Sequence, residues 1–309
     1  MSLKQLKSHL LILLLLIAGA GIGYWLGTAA GQAEPVYAGD DPKPLAAPDS
    51  ISLESPVEEV LMLMLHSNEK WKSVEAHGEI EDSAGHQISH HLTVVQESPK
   101  GPYFVRGEFG LHGKDNSYLY VLDGKTLWRT QTDLRIYTSQ PYWDDGVHPP
   151  DTLQAINSPE NPIVAHPLEG QFGSPLVELL FPMGVAQSMY LDVNNVSLLK
   201  ADEVAGRQTI ILQWSPYPAR NLFWVDVLTG SILKREYYSA YTPEGLPIET
   251  WYERIEITQI AFDVDKVPSE FQFQQDKEAR FVQPFEFEQM TSEAWMLQLE
   301  RQLREKGGE

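Results

Sequence analysis

The chain has 309 residues, no cysteine and a formal net charge of −20. Without cysteine there is no disulfide, no thiolate chemistry, no Cys-ligated zinc and no lipid attached through an N-terminal cysteine. Two lysines and no acidic residue precede Glu34, so the remainder carries 21 basic and 43 acidic side chains, a balance of −22. That balance argues against nucleic acid and against docking on anionic headgroups, since both need basic patches.

Residues 1–30 read as a targeting element. Lys4 and Lys7 form a positive start, and Leu10 to Leu26 carries no charge. As a helix this run spans roughly 25 Å, near the short end of what crosses a bilayer. An uncleaved anchor is the first reading, and a signal cleaved after Gly31-Gln32-Ala33 is the second. In either case the lysines stay in the cytoplasm and the rest is exported. Residues 31–54 contain Pro35, Pro42, Pro44 and Pro48 among Ala, Gly and Asp. Such a composition makes a flexible tether.

The folded body is expected from Ser55. Ser55-Pro56-Val57-Glu58 has a capping pattern, with Ser55 as N-cap and Glu58 reaching back. Val57, Val60, Leu61, Met64 and Leu65 then form a wide apolar stripe at helical spacing. Strands follow at Val74 to Glu81, around Ile88 to Val95, and at Pro102 to Phe109. Alternation puts Ile88, His90, Leu92 and Val94 on one face of the second, with Ser89, His91, Thr93 and Val95 on the other. Tyr118 to Ser139 reads as a three-strand meander, with Asp123-Gly124 as its first turn and Thr132-Asp133 as its second. Gln140 to Gly173 is a long, proline-punctuated loop with too many apolar residues for disorder.

Ser174 to Tyr190 is expected to be helical in two pieces. Ser174 caps, and Leu176, Leu179 and Leu180 repeat at helical spacing. Pro182 interrupts, and Met183 to Tyr190 resumes. So few charges occur here that the segment must be covered by something. Strands are then expected at Arg207 to Trp214, Asn221 to Asp226, Ser231 to Tyr238 and Ile248 to Phe262. Lys266 to Phe273 is expected to close the sheet. A last helix from Thr291 or Ser292, with Trp295, Leu299 and Leu303 on one face, reads as a docking element outside the sheet.

The order of turns and strands resembles the periplasmic lipoprotein-carrier and sorting family (LolA/LolB-like) and the related sigma-factor regulators of the RseB/MucB type. The stretches that carry the resemblance are Trp71 to Glu81, Leu122 to Thr138, Val204-Ala205-Gly206-Arg207, Phe223 to Arg235 and Val267 to Phe273. The resemblance implies a mainly β (α+β) fold: a half-open antiparallel barrel over residues 55–275, with helices closing its concave face. An N-terminal transmembrane helix precedes it, and residues 276–309 are an extension outside the family pattern. It also implies an apolar cavity holding a lipid, an acyl chain or the lipidated end of a lipoprotein. Leu176, Leu179, Leu180, Phe181 and Met183 would be its movable lid, and Trp128 and Trp224 its wall. The alternative role is a membrane-anchored regulator of the RseB/MucB type that binds a membrane protein. The expected place is the cell membrane, with the domain on the extracytoplasmic side, or the periplasm after cleavage.

Other constellations are weaker. His90 and His91 face opposite ways on a strand, so His86, His90 and His91 cannot together hold one ion. Asp144 and Asp145, with Asp151 and Glu160, lack calcium-loop spacing. Asn195-Val196-Ser197 is a short sequon, frequent by chance. No nucleophile-elbow, zincin or phosphate-loop phrase occurs. The expectation is a protein that is not an enzyme, with no cofactor and no resident metal.

Overall fold

The computed structural model describes residues 46–83, 85–111, 118–143, 151–153, 163–172, 174–216, 219–238 and 252–306. The targeting element and most of the tether lie outside them. Among the described residues no helix is long and apolar enough to cross a membrane. Asp123 shows how local chemistry starts the sheet. Its Oδ1 accepts from the N–H groups of Lys125 and Thr126 at 3.0 and 2.8 Å. Gly124 takes the positive φ that the turn requires. The hairpin then joins β4 (Tyr118–Asp123) to β5 (Thr126–Gln131).

The other strands are β1 (Ser73–Asp82), β2 (Gln87–Gln96), β3 (Tyr103–Leu111), β6 (Ile136–Pro141), β7 (Val196–Val204), β8 (Arg207–Trp214), β9 (Arg220–Asp226), β10 (Ile232–Tyr238), β11 (Glu253–Phe262) and β12 (Arg280–Phe281). The twelve form one sheet in the order β12-β6-β5-β4-β3-β2-β1-β11-β10-β9-β8-β7. All neighbours are antiparallel except β12 and β6. The two meanders meet where β1 pairs with β11. The sheet is open: β7 is one edge and the short β12 the other, so no barrel closes.

Among the described residues the α-helices are α1 (Val57–Leu65), α2 (Glu169–Phe172), α3 (Pro175–Leu180), α4 (Met183–Leu191) and α5 (Pro284–Lys306). One face of the sheet bends around them. β3 and β10 are four strand spacings apart, about 19 Å along a flat sheet. Yet within α3 and the residue after it, Phe181 meets Tyr103 of β3 and Glu178 meets Arg235 of β10. The inner face therefore curls round a helix that is only about 9 Å long. In α1 every residue from Val60 to Leu65 is buried. The β9–β10 turn presses on it, and a Cβ on Gly230 would stand 2.4 Å from Leu63 O.

Several local expectations change. Ser55 does not cap α1; its Oγ accepts from Ser52 N–H in the preceding turn. The tether ends early, because Ile51 is buried and its N–H donates to Val227 O at 2.9 Å. The third strand of the meander, expected from Leu134, starts at Ile136, after Arg135 takes a positive φ. Edge strand β7 was not anticipated, since its mostly exposed residues give no apolar alternation. Lys266 to Phe273 does not close the sheet. It forms a 3-10 turn at Pro268–Glu270, and Phe271 and Phe273 then lie across the outer face on Phe104 and Trp128. The last helix begins at Pro284, earlier than the sequence suggests.

Candidate functional site

The concave face is filled by the segment from α2 to α4. Pro175 starts α3 and Pro182 separates it from α4, so two short helices of six and nine residues meet at a bend. Leu176, Leu179, Leu180 and Phe181 are fully buried and Met183 is nearly so. Phe181 is the centre of the plug. Its ring lies 5.2 Å from Trp71, 6.3 Å from Tyr103 and 4.0 Å from His166. Leu176 nests over β1 because Gly78 leaves room; a Cβ there would stand 2.8 Å from Leu176 Cδ2.

Besides the Ser67 and Ser231 hydroxyls that donate to Leu180 O and the Gln187 bonds to the Val164 backbone, polar side chains meet the plug at two further points. At the first, Ser174 sits at the N-cap position the sequence predicts, but its hydroxyl does not cap the helix. It turns to the sheet and lies 3.3 and 3.4 Å from the two ring nitrogens of His90. His90 Nε2 in turn lies 3.0 Å from Tyr120 Oη. Burial, and secondarily the neighbouring His91, push the His90 imidazole down to about 3. Burial pushes the Tyr120 phenol up. The Ser-His pair has no catalytic alignment: an oxygen equidistant from both ring nitrogens faces neither lone pair. All three side chains are buried where α3 starts against the sheet. The second fastening is Glu178, whose carboxylate accepts from Arg235 Nη1 at 3.2 Å. Burial, then Glu178, holds the nearby Glu169 carboxyl well above the usual range.

The two wall tryptophans point away from this face. Register pairs Tyr120 with Arg129 on the inner side, so Trp128 faces outward. Its ring stacks on Phe273 at 4.7 Å and 2°. Phe223 pairs with the inward Arg235, so Trp224 is also outward. It donates from Nε1 to Asp202 Oδ2 at 2.9 Å, and Lys234 Nζ lies 4.7 Å from its ring centroid. The inner wall instead includes Trp71, Leu92, Tyr103, Phe109, Tyr118 and Tyr120.

The inner face near β2–β5 has a second cover that the sequence did not place. In α5, Phe287 is fully buried with its ring 5.9 Å from Tyr118, and Trp295 meets Phe109 at 6.1 Å. Arg129 pairs with Glu288 on the same helix. The helix expected to dock elsewhere therefore docks on its own sheet. Trp295 carried that signal, but the residues it meets lie far back in the chain.

The histidines separate as alternation requires. His86 Nδ1 pairs with Asp82 at 2.6 Å, His90 points in and His91 points out. Asp144, Asp145 and Glu160 fall outside the described residues. A polar cleft of about 210 Å³ lies at the rim, lined in part by Glu69, Trp71, Gln96 and Asp263. Trp71 is shared between this cleft and the plug.

No family model matches the sequence, and no curated protein matches it. Among solved structures the chain is similar to MucB, at 15% identity over 72% of this chain and 64% of MucB, with a TM-score of 0.39. The likeness is one of fold alone. The chain spans less than two-thirds of MucB. The Pseudomonas aeruginosa MucA/MucB complex gives 15% identity, 73% and 63% coverage and a TM-score of 0.40. A LolA superfamily protein from Nitrosomonas europaea gives 10% identity over 69% of this chain and 96% of that one, with a TM-score of 0.25. These are the two groups that the turn phrases of the sequence resemble.

Proposed function

We propose that the protein is a non-enzymatic binding protein, anchored on the outer side of a membrane by residues 1–30. The concave face takes up an acyl chain when α3 and the start of α4 swing aside. The observation that carries this reading is the plug itself. From Glu169 to Leu191 only Glu169 and Glu178 bear charge. The five lid residues are buried against aromatic walls, and a few discrete polar contacts hold them. Withdrawing these five and Val177, which α3 also buries, forfeits about 1.5–3 kcal/mol each. An acyl chain of about sixteen carbons returns about 12 kcal/mol at roughly 0.8 kcal/mol per methylene. The two quantities are comparable, so exchange of plug for ligand is energetically balanced rather than prohibitive.

The test is photocrosslinking. The full chain is exposed to a fatty acid carrying a diazirine near its tail, and the adducts are mapped by peptide mass spectrometry. Adducts on inner-face peptides of β1–β4 support the reading. Adducts confined to residues 10–26, the anchor, overturn it. A second reading, a regulator that binds a membrane protein, is the other arm. MucB has been solved with MucA. Capture of one defined membrane protein without any inner-face adduct would favour a partner of that kind here.

A further inference from the structure

On the outer face of the sheet, β1 and β2 bring together three side chains that are separate in sequence. His77 and His91 are direct cross-strand partners. Their rings stack with centroids 4.1 Å apart and planes 5° from parallel. Glu75, two residues before His77, projects from the same face. Its Oε1 accepts from His91 Nε2 at 3.0 Å. We propose that Glu75, His77 and His91 form a binding site for a divalent transition-metal ion of the zinc class, distinct from the concave site.

Geometry and donor chemistry both support the assignment. One ligand atom from each residue lies within 4.8 Å of the others. Around a tetrahedral ion with bonds near 2.0–2.1 Å, ligand atoms stand about 3.3 Å apart. Glu75 and His91 already meet that spacing, and His77 needs a shift of about 1.5 Å, within reach of side-chain rotation. Two imidazoles and one carboxylate, with the fourth position open to solvent, suit zinc, nickel or copper better than calcium or magnesium.

The backbone is also irregular at this point. The register of β1 against β11 slips between His77 and Gly78, leaving Thr258 as the extra residue. Thr258 Oγ1 donates to His77 O at 3.3 Å. Bulges of this kind re-aim side chains and recur beside sites. Glu108 of β3 stands opposite His91 and adds negative potential, partly offset by its contact with Arg106.

An ordinary hydrogen-bonded histidine pair would show the same Glu75 contact, so the test must separate the two. The full chain, solubilised in detergent and stripped with a chelator, is titrated with zinc chloride against a chromophoric chelator. Magnesium and calcium serve as controls. One equivalent of zinc should bind, magnesium and calcium should not compete, and zinc should raise Tm. His77→Gln and His91→Gln should each weaken binding at least about tenfold, by analogy with the loss on removing a supporting ligand contact. His86→Gln, away from the cluster, should bind as the unaltered protein does. All three positions lie on partly exposed strand or turn surface, and Tm without metal checks that each variant folds. Absence of zinc binding, or binding unchanged in both His77→Gln and His91→Gln, overturns the assignment.

Discussion

At Gly107 a Cβ would fall 2.0 Å from the Tyr120 ring. The missing side chain is what lets Tyr120 lie across β3 and reach His90. Gly107→Ala therefore forces the phenol off its partner, an overpacking cost of about 1–3 kcal/mol. Urea denaturation should show the midpoint falling with the m-value unchanged. His90 supplies a pH dependence whose sign is fixed. Its folded value of about 3 lies below the unfolded value of 6.5, so the unfolded chain binds the extra proton between those limits. Stability is fully retained above pH 6.5 and is lost as pH falls toward 3. At pH 5 the loss from this residue is about 2 kcal/mol relative to pH 7, from about 1.36 kcal/mol per unit. Denaturation of His90→Gln at the two pH values should show that increment gone. An unchanged difference would mean that other groups carry the dependence.

The plug is where the elements meet. α3 is held on one side by Leu176 seated over Gly78 and on the other by the Glu178–Arg235 pair. The pair is partly solvated, so its loss costs less than a fully buried one. Arg235→Gln should speed amide exchange in residues 174–191 while β1 and β2 stay protected, as measured by hydrogen–deuterium exchange. Gly78→Val crowds Leu176 from beneath and should loosen the same helices through packing alone. Equal exchange in both variants and the unaltered chain would identify a fixed core element rather than a lid. Charged replacements at Leu179 or Phe181 are poor probes, because both are fully buried and a lone charge there threatens the whole fold.

For the whole molecule, α5 completes the cover of the inner face. A chain ending at Gln283 should expose Phe109 and Tyr118 and lose the Arg129–Glu288 pair. It should bind an apolar fluorescent dye more strongly and melt at a lower temperature; unchanged dye binding would show that α5 covers nothing essential. Much of the fold was legible because it rests on local rules. Asp123-Gly124 is turn chemistry, Pro182 breaks a helix, and alternation in β2 sends His90 in and His91 out. Leu176, Leu179, Leu180, Phe181 and Met183 were legible as a chargeless segment needing cover, since helical spacing and absence of charge are local properties. The facing of Trp128 and Trp224 was not legible, because an apolar outer face arises only when Phe273 or Lys234 arrives to cover it. Edge strand β7 gave no signal, because an exposed strand has no buried face to mark it. The Glu75–His77–His91 cluster and the docking of α5 depend on register and on contacts between residues far apart in the chain. Sequence fixes which residues alternate along a strand or recur along a helix, by short-range sterics. Which strands become neighbours, and so which side chains meet, is decided only when the sheet curls and its long-range contacts form.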